Sequence, residues 1–137
     1  MKAGNSCLKA DIGGGPIHDM GVYSINAGGY LFRAEPVAVM AWNTGHESKR
    51  RLEVPATTTV VMRFPDDRIA SFTCSFGITD RSTFEVVGTK GAVRMDPAYE
   101  MVETLKVEMT VGKRTTKRSF PKRDQFAPEL MYFAMAF

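Results

Sequence analysis

Three consecutive glycines followed by a proline, Gly13-Gly14-Gly15-Pro16, constrain the backbone more than any other stretch of this chain. Glycine allows a sharp turn and lets the main chain pass close to a neighbour that a side chain would push away. Proline then suits the first helical position, where no N–H is needed and φ is already set. The pattern predicts a helix from about Pro16 to Phe32. On it Asp19, Tyr23, Asn26 and Tyr30 fall at i, i+4, i+7 and i+11. At about 100° per residue these four stay within roughly 60° of one another and form one polar stripe. Such a stripe is either the wet side of a surface helix or a cleft wall carrying proton-transfer groups. Gly28-Gly29 weakens the end of this helix, each by up to about 1 kcal/mol against alanine.

Beyond Glu35-Pro36 the period changes to two. Val37, Val39 and Ala41 alternate with Ala38, Met40 and Trp42, which predicts a strand. After a polar loop over 43–51, Thr57 to Phe64 and Ile69 to Phe76 read as a hairpin around Pro65-Asp66-Asp67. Ala70, Phe72, Cys74 and Phe76 share one face, with Ser71, Thr73 and Ser75 on the other. Gly88-Thr89-Lys90-Gly91 joins two further strands, Phe84 to Val87 and Ala92 to Met95, and so reads as a hairpin rather than a nucleic-acid clamp. Leu105, Val107, Met109 and Val111 alternate with Lys106, Glu108 and Thr110, and Gly112-Lys113 turns this strand into Arg114 to Phe120. A last helix is expected from Pro128, with Asp124 or Ala127 near its cap. It stops at Phe137 without a C-terminal signal, and residues 1–12 read as a lead-in that starts mid-protein.

One helix, a series of hairpin-linked strands and a second helix imply an α+β fold. The sheet would be open and mainly antiparallel, with helices packed on one face. The other face of an open sheet needs its own cover. Trp42, Phe72, Phe76 and Met109 are candidates for it, or else pack beneath the helices.

The 137 residues suit one domain, and 44% hydrophobic with 24% charged residues is a globular composition. No apolar run reaches the roughly 18 residues of a membrane span, and the N-terminus lacks a secretory pattern. Cys7 and Cys74 have neither metal-ligand nor disulfide-framework spacing, so no metal is expected and reducing cytosol is the simplest compartment. The net charge of +3 and pI near 9.0 come from basic pairs such as Lys49-Arg50-Arg51, Lys113-Arg114, Lys117-Arg118 and Lys122-Arg123. Their placement at turns and on alternating strand positions suits solvated edges, and no nucleic acid is expected.

The run GGGPIHDMGVYSINAGGYLFRAEP resembles the opening of the second domain in the Gfo/Idh/MocA oxidoreductases. Asp19-Met20-Gly21-Val22-Tyr23 is similar to that family's D-x-G-x-[HY] motif, in the tyrosine form of the glucose-fructose oxidoreductase branch. The likeness extends through RFPDDRIASFTCSFG, FEVVGTKGAVRMDP and KRDQFAPEL, nearly the whole chain. The resemblance implies a catalytic pair, Asp19 and Tyr23, with Asn26 as a substrate contact; Gln125, before the last helix, is a further candidate. Tyr23 would move a proton at the oxygen of a sugar or polyol during hydride exchange with NAD or NADP. That role requires a cation to lower its pKa from about 10.

His18, one position before Asp19, is expected to point about 100° away from it and to pack or hydrogen-bond. His46, in the polar loop, has no partner pattern. Gly14 and Gly15 are the cofactor-facing residues expected here, although their run is not the G-x-G-x-x-G fingerprint. The family's separate N-terminal Rossmann domain, with its E-K-P lysine, has no counterpart in this sequence. The chain therefore reads as a C-terminal substrate-binding and oligomerisation domain over 1–137, inactive in isolation. Val54-Pro55-Ala56 stands where relatives often have an acidic stretch. The alternative reading is a non-catalytic module of the same fold, kept for oligomerisation or ligand sensing.

Overall fold

The computed structural model of the chain describes residues 6–45, 53–99, 103–124 and 126–136, so the expectations for His46, Lys49-Arg50-Arg51 and Gln125 lie outside the described residues. Two compact units are present, Met1–Thr79 and Asp80–Phe137.

The first unit is a helix laid on a three-stranded antiparallel sheet. After Pro16, a π-helical turn over Ile17–Gly21 runs into α1, Val22–Phe32. Strands β1 (Ala38–Asn43), β2 (Thr57–Arg63) and β3 (Ile69–Ser75) pair in that order. The opening of the helix therefore differs from the regular α-helix expected, and it lies where the helix comes close to the sheet. Gly21 lies against β3, where a Cβ would come within 3.3 Å of the Phe72 ring and 3.6 Å of Cys74 Sγ. Seven residues on, a Cβ at Gly28 would sit 3.3 Å from both Met62 and Phe64. These two glycines form a seam along which helix and sheet approach so closely that an added Cβ would press on the neighbouring side chains.

Beneath the seam, Val60, Met62 and Phe64 are buried, with Ile17, Phe32, Ala70 and Phe72 packed around them. Phe72 therefore belongs to the core and not to the outer sheet face, because its register partner Val60 points inward. Trp42 stands opposite Thr59, on the outer face, and is 56% exposed. That face also carries two cross-strand hydroxyl pairs, Thr57 with Ser75 at 2.6 Å and Thr59 with Thr73 at 2.9 Å. Ala70, Phe72 and Cys74 face inward together, as their alternation predicts.

Arg68, in the β2–β3 turn, anchors the far end of α1. Its guanidinium donates to the Phe32 carbonyl at 2.9 Å and to the Pro65 carbonyl at 2.8 Å. It also stacks over the Phe32 ring, 5.1 Å from the centroid. This satisfies one of the carbonyls a helix end leaves unbonded and places a cation at the negative end of the dipole. The helix stops at Arg33 in the left-handed conformation (φ 49), an ending that arginine does not signal. Asp66 and Asp67 both have positive φ, the pattern of a two-residue hairpin turn that suits strand twist.

The second unit is a four-stranded antiparallel sheet in sequence order: β4 (Phe84–Gly88), β5 (Gly91–Met95), β6 (Leu105–Val111) and β7 (Arg114–Phe120). The α+β class is thus as expected, with hydrogen bonding dividing the strands into ladders of three and four. Along β6 the expected one-sided burial holds only from Leu105 to Val107; beyond it Glu108 and Thr110 are half-buried while Met109 and Val111 are 42% and 53% exposed. Arg94 holds Asp96 at 2.8 Å, which keeps that carboxyl below the usual carboxylate range. Helix α2 spans Phe126–Met135, two residues ahead of the expected start. Asp124 caps it, its carboxylate accepting the N–H groups of Phe126 and Ala127 at 3.0 and 3.2 Å.

The seam predicts opposite outcomes at adjacent glycines. The nearest atom to a Cβ at Gly29 is 3.9 Å away, so Gly29→Ala should stabilise by about 0.5–1 kcal/mol through helix propensity alone. Gly28→Leu should destabilise by about 1–3 kcal/mol through overpacking, measured by urea denaturation.

Candidate functional site

The site grows from the glycine turn. Gly13 and Gly15 have φ of 78° and 127°, conformations that side chains rarely adopt. The segment expected to be a shapeless lead-in folds back onto this turn instead. After a 3-10 turn at Ser6–Leu8, the Cys7 and Lys9 carbonyls accept the Gly15 and Gly14 amides, each at 2.8 Å. A Cβ on Gly14 would lie 2.5 Å from the Lys9 oxygen, so only glycine fits. The Ala10 amide donates to Glu53 at 3.2 Å and ties the loop to the approach to β2.

This turn walls a recess of about 140 Å³ lined by Cys7, Gly14, Gly15, His18 and Asp19 among others. Asp19 is exposed and accepts a hydrogen bond from the Cys7 thiol at 3.6 Å. Among the described residues it makes no ion pair. His18, the next residue back along the π-helical turn, also lines this recess. One turn on, Tyr23 is 55% exposed and lies in the row between this recess and a second hollow. That second hollow, about 380 Å³, takes in Asn26 and Tyr30 together with Glu35 and Pro36.

The stripe faces outward because of the seam. Gly28 lies nine residues after Asp19, about 180° around a regular helix, so burying it turns the row of Asp19, Tyr23, Asn26 and Tyr30 away from the sheet. π-Helical turns inside α-helices occur frequently at functional sites, and this one carries Asp19 itself.

Gly14 and Gly15 bond their amides internally, so a ligand would meet them through the recess they line and not through amide donation. Among the described residues no three of His, Cys, Asp and Glu gather as metal ligands. Two features escape sequence reasoning. The Cys7 thiol reaches Asp19 across twelve positions with no periodic signal, and Glu35 joins Tyr30 only because the chain reverses after Arg33.

The fold defines an α+β domain whose single glycine-seamed helix presents polar groups from one face of an antiparallel sheet. Residues 2–94 match the GFO/IDH/MocA C-terminal domain, and the chain belongs to that family. It is 29% identical over 123 residues to the NADP(+) D-xylose 1-dehydrogenase of Haloarcula marismortui, a match covering 89% of this chain and 34% of that protein. With the trans-1,2-dihydrobenzene-1,2-diol dehydrogenase of Bos taurus it shares 32% identity over 92 residues, 66% of this chain and 26% of that one. The crystal structure of aldose-aldose oxidoreductase from Caulobacter crescentus, complexed with glycerol, superposes with a TM-score of 0.84 at 28% identity. That match covers 96% of this chain and 40% of the other. The chain thus spans between about a quarter and two-fifths of the length of the curated relatives it matches. None of the helices among the described residues is long and apolar enough to cross a membrane.

The two thiols differ in environment. Cys7 is half-buried at the recess, while Cys74 is buried under the helix, where burial pushes its thiol up from the ordinary range. Iodoacetamide at pH 8 should modify Cys7 well ahead of Cys74, as followed by peptide mass spectrometry, because the thiolate is the reacting form.

Proposed function

We propose that this chain is the substrate-binding and subunit-pairing domain of an NAD(P)-dependent oxidoreductase acting on a sugar or related polyol. The observation that carries the reading is the outward row of Asp19, Tyr23 and Asn26, beside a glycine-walled recess, in a member of this family. The relatives' names supply the substrate class: xylose for one, aldoses for another.

In this reading Tyr23 exchanges the proton of the reacting carbinol with its phenolic oxygen. The Asp19 carboxylate accepts a hydrogen bond from a neighbouring substrate hydroxyl and so orients the ring, while the Asn26 amide, donor and acceptor at once, holds the next one. NAD or NADP, the latter named for the xylose dehydrogenase, supplies hydride transfer when bound. Gly14 and Gly15 face the reacting end of that cofactor. The recess residues fit no more than that end, since both amides are already bonded and no lysine or arginine lines the recess among the described residues. The rest of the cofactor, and the cation that activates Tyr23, fall to a Rossmann half of the parent protein. Gln125 keeps its place as a further substrate contact. The outer face of β1–β2–β3, with Trp42 and Met40 exposed, is the surface proposed to pair subunits. The two thiols suit a reducing cytoplasm.

In the parent protein, Tyr23→Phe should lower kcat about 100-fold or more while leaving the cofactor Kd within about twofold. Steady-state kinetics with a fluorescence titration separates the two, and unchanged turnover removes Tyr23 from the chemistry. The 137-residue chain alone should neither bind NADP with micromolar affinity nor oxidise sugar. Isothermal titration calorimetry checks the first statement.

A further inference from the structure

The hollow at the far end of the polar row is larger than the recess beside Asp19, and apart from Asn26 at its edge none of its lining has a part in the chemistry above. Its volume of about 380 Å³ falls within the range of small-molecule sites, about 300–1,000 Å³. The floor is apolar, with Met62 and Phe64 sealed beneath it and Pro36 at one end. The rim is polar: Asn26, Tyr30 and Glu35. Tyr30 is 79% exposed, a large aromatic surface left open on a helix whose opposite side is tightly packed. Among the described residues Glu35 is the one charged group of the lining, and it forms no ion pair with any of them.

We propose that this hollow is a second sugar subsite, taking the neutral ring linked to the ring that reacts at Tyr23, so that the preferred substrate class is a neutral disaccharide or glycoside. The proposal rests on the reading of Asp19 and Tyr23 given above. A pyranose has apolar C–H faces and a hydroxyl edge. An apolar floor with an aromatic rim suits the first, and an amide with a carboxylate suits the second. The hollow is continuous with the reacting row through Asn26. From Tyr23 to Tyr30 the helix rises about 10 Å, so a group that touches Tyr30 extends past the reacting ring. The Glu35 carboxylate disfavours a phosphate or uronate there by like charge.

The test uses the purified parent protein with its nicotinamide cofactor, a panel of neutral aldoses, their β-1,4-linked disaccharides and one aldose phosphate. Tyr30→Ala should lower kcat/KM for the disaccharide roughly tenfold and for the monosaccharide less than twofold, with an unchanged melting temperature. Glu35→Gln should raise kcat/KM for the phosphorylated sugar severalfold. Equal losses on single and linked sugars overturn the subsite while leaving the oxidoreductase reading in place. A Tyr30→Ala protein that changes oligomeric state without changing sugar preference also overturns it, by making the hollow a protein contact. Wild-type protein that turns over no member of the panel overturns both readings.

Discussion

Everything in the first unit depends on how close α1 can come to β2 and β3. Gly21 and Gly28 put no side chain in the way, so Phe72, Met62 and Phe64 lie close to its backbone. This contact fixes the rotation of the helix as well as its distance. With the glycines inward, the row from Asp19 to Tyr30 has one place to go, which is outward. A glycine that costs helix propensity is thus the residue that aims the polar groups, and its local penalty is offset by burial of the aromatic floor.

The mouth of the site obeys a second close-approach constraint. The glycine turn works because the segment of Cys7 and Lys9 folds against it and accepts its amides. Donors that in many nucleotide-binding loops point at phosphate are here consumed by the chain itself. The result is a rigid, side-chain-free wall beside Asp19. It is a place for a flat group to lie and a poor place for a charged one to be gripped.

Much of this was written in the sequence. Alternation placed the β2–β3 hairpin and the inward set of Ala70, Phe72 and Cys74, and local chemistry marked the turns at Asp66-Asp67 and Thr89-Lys90. Helical spacing picked out the Asp19-to-Tyr30 row, and the motif around Gly21 carried the family. What stayed hidden needs contacts that no period encodes. Residues 6–12 show no repeat, yet their carbonyls complete the glycine turn. The π-helical opening at Ile17–Gly21 has no signal in the spacing, and Gly21 there meets Phe72 some fifty residues later. Arg33 ends the helix where glycine would be the ordinary signal, with Arg68 supplying the stabilisation from another element.

The two anchors of α1 also limit how it can respond to a ligand. Gly21 at its start and Gly28 past its middle lie close against the sheet, and its C-terminal end is tied through Arg68 to the β2–β3 hairpin. Sliding or rolling the helix would break a charged hydrogen bond and collide with buried rings, so it travels only together with its sheet. Helix and sheet are thereby packed as one body, and the row from Asp19 to Tyr30 is carried on a base of buried rings rather than on a loop.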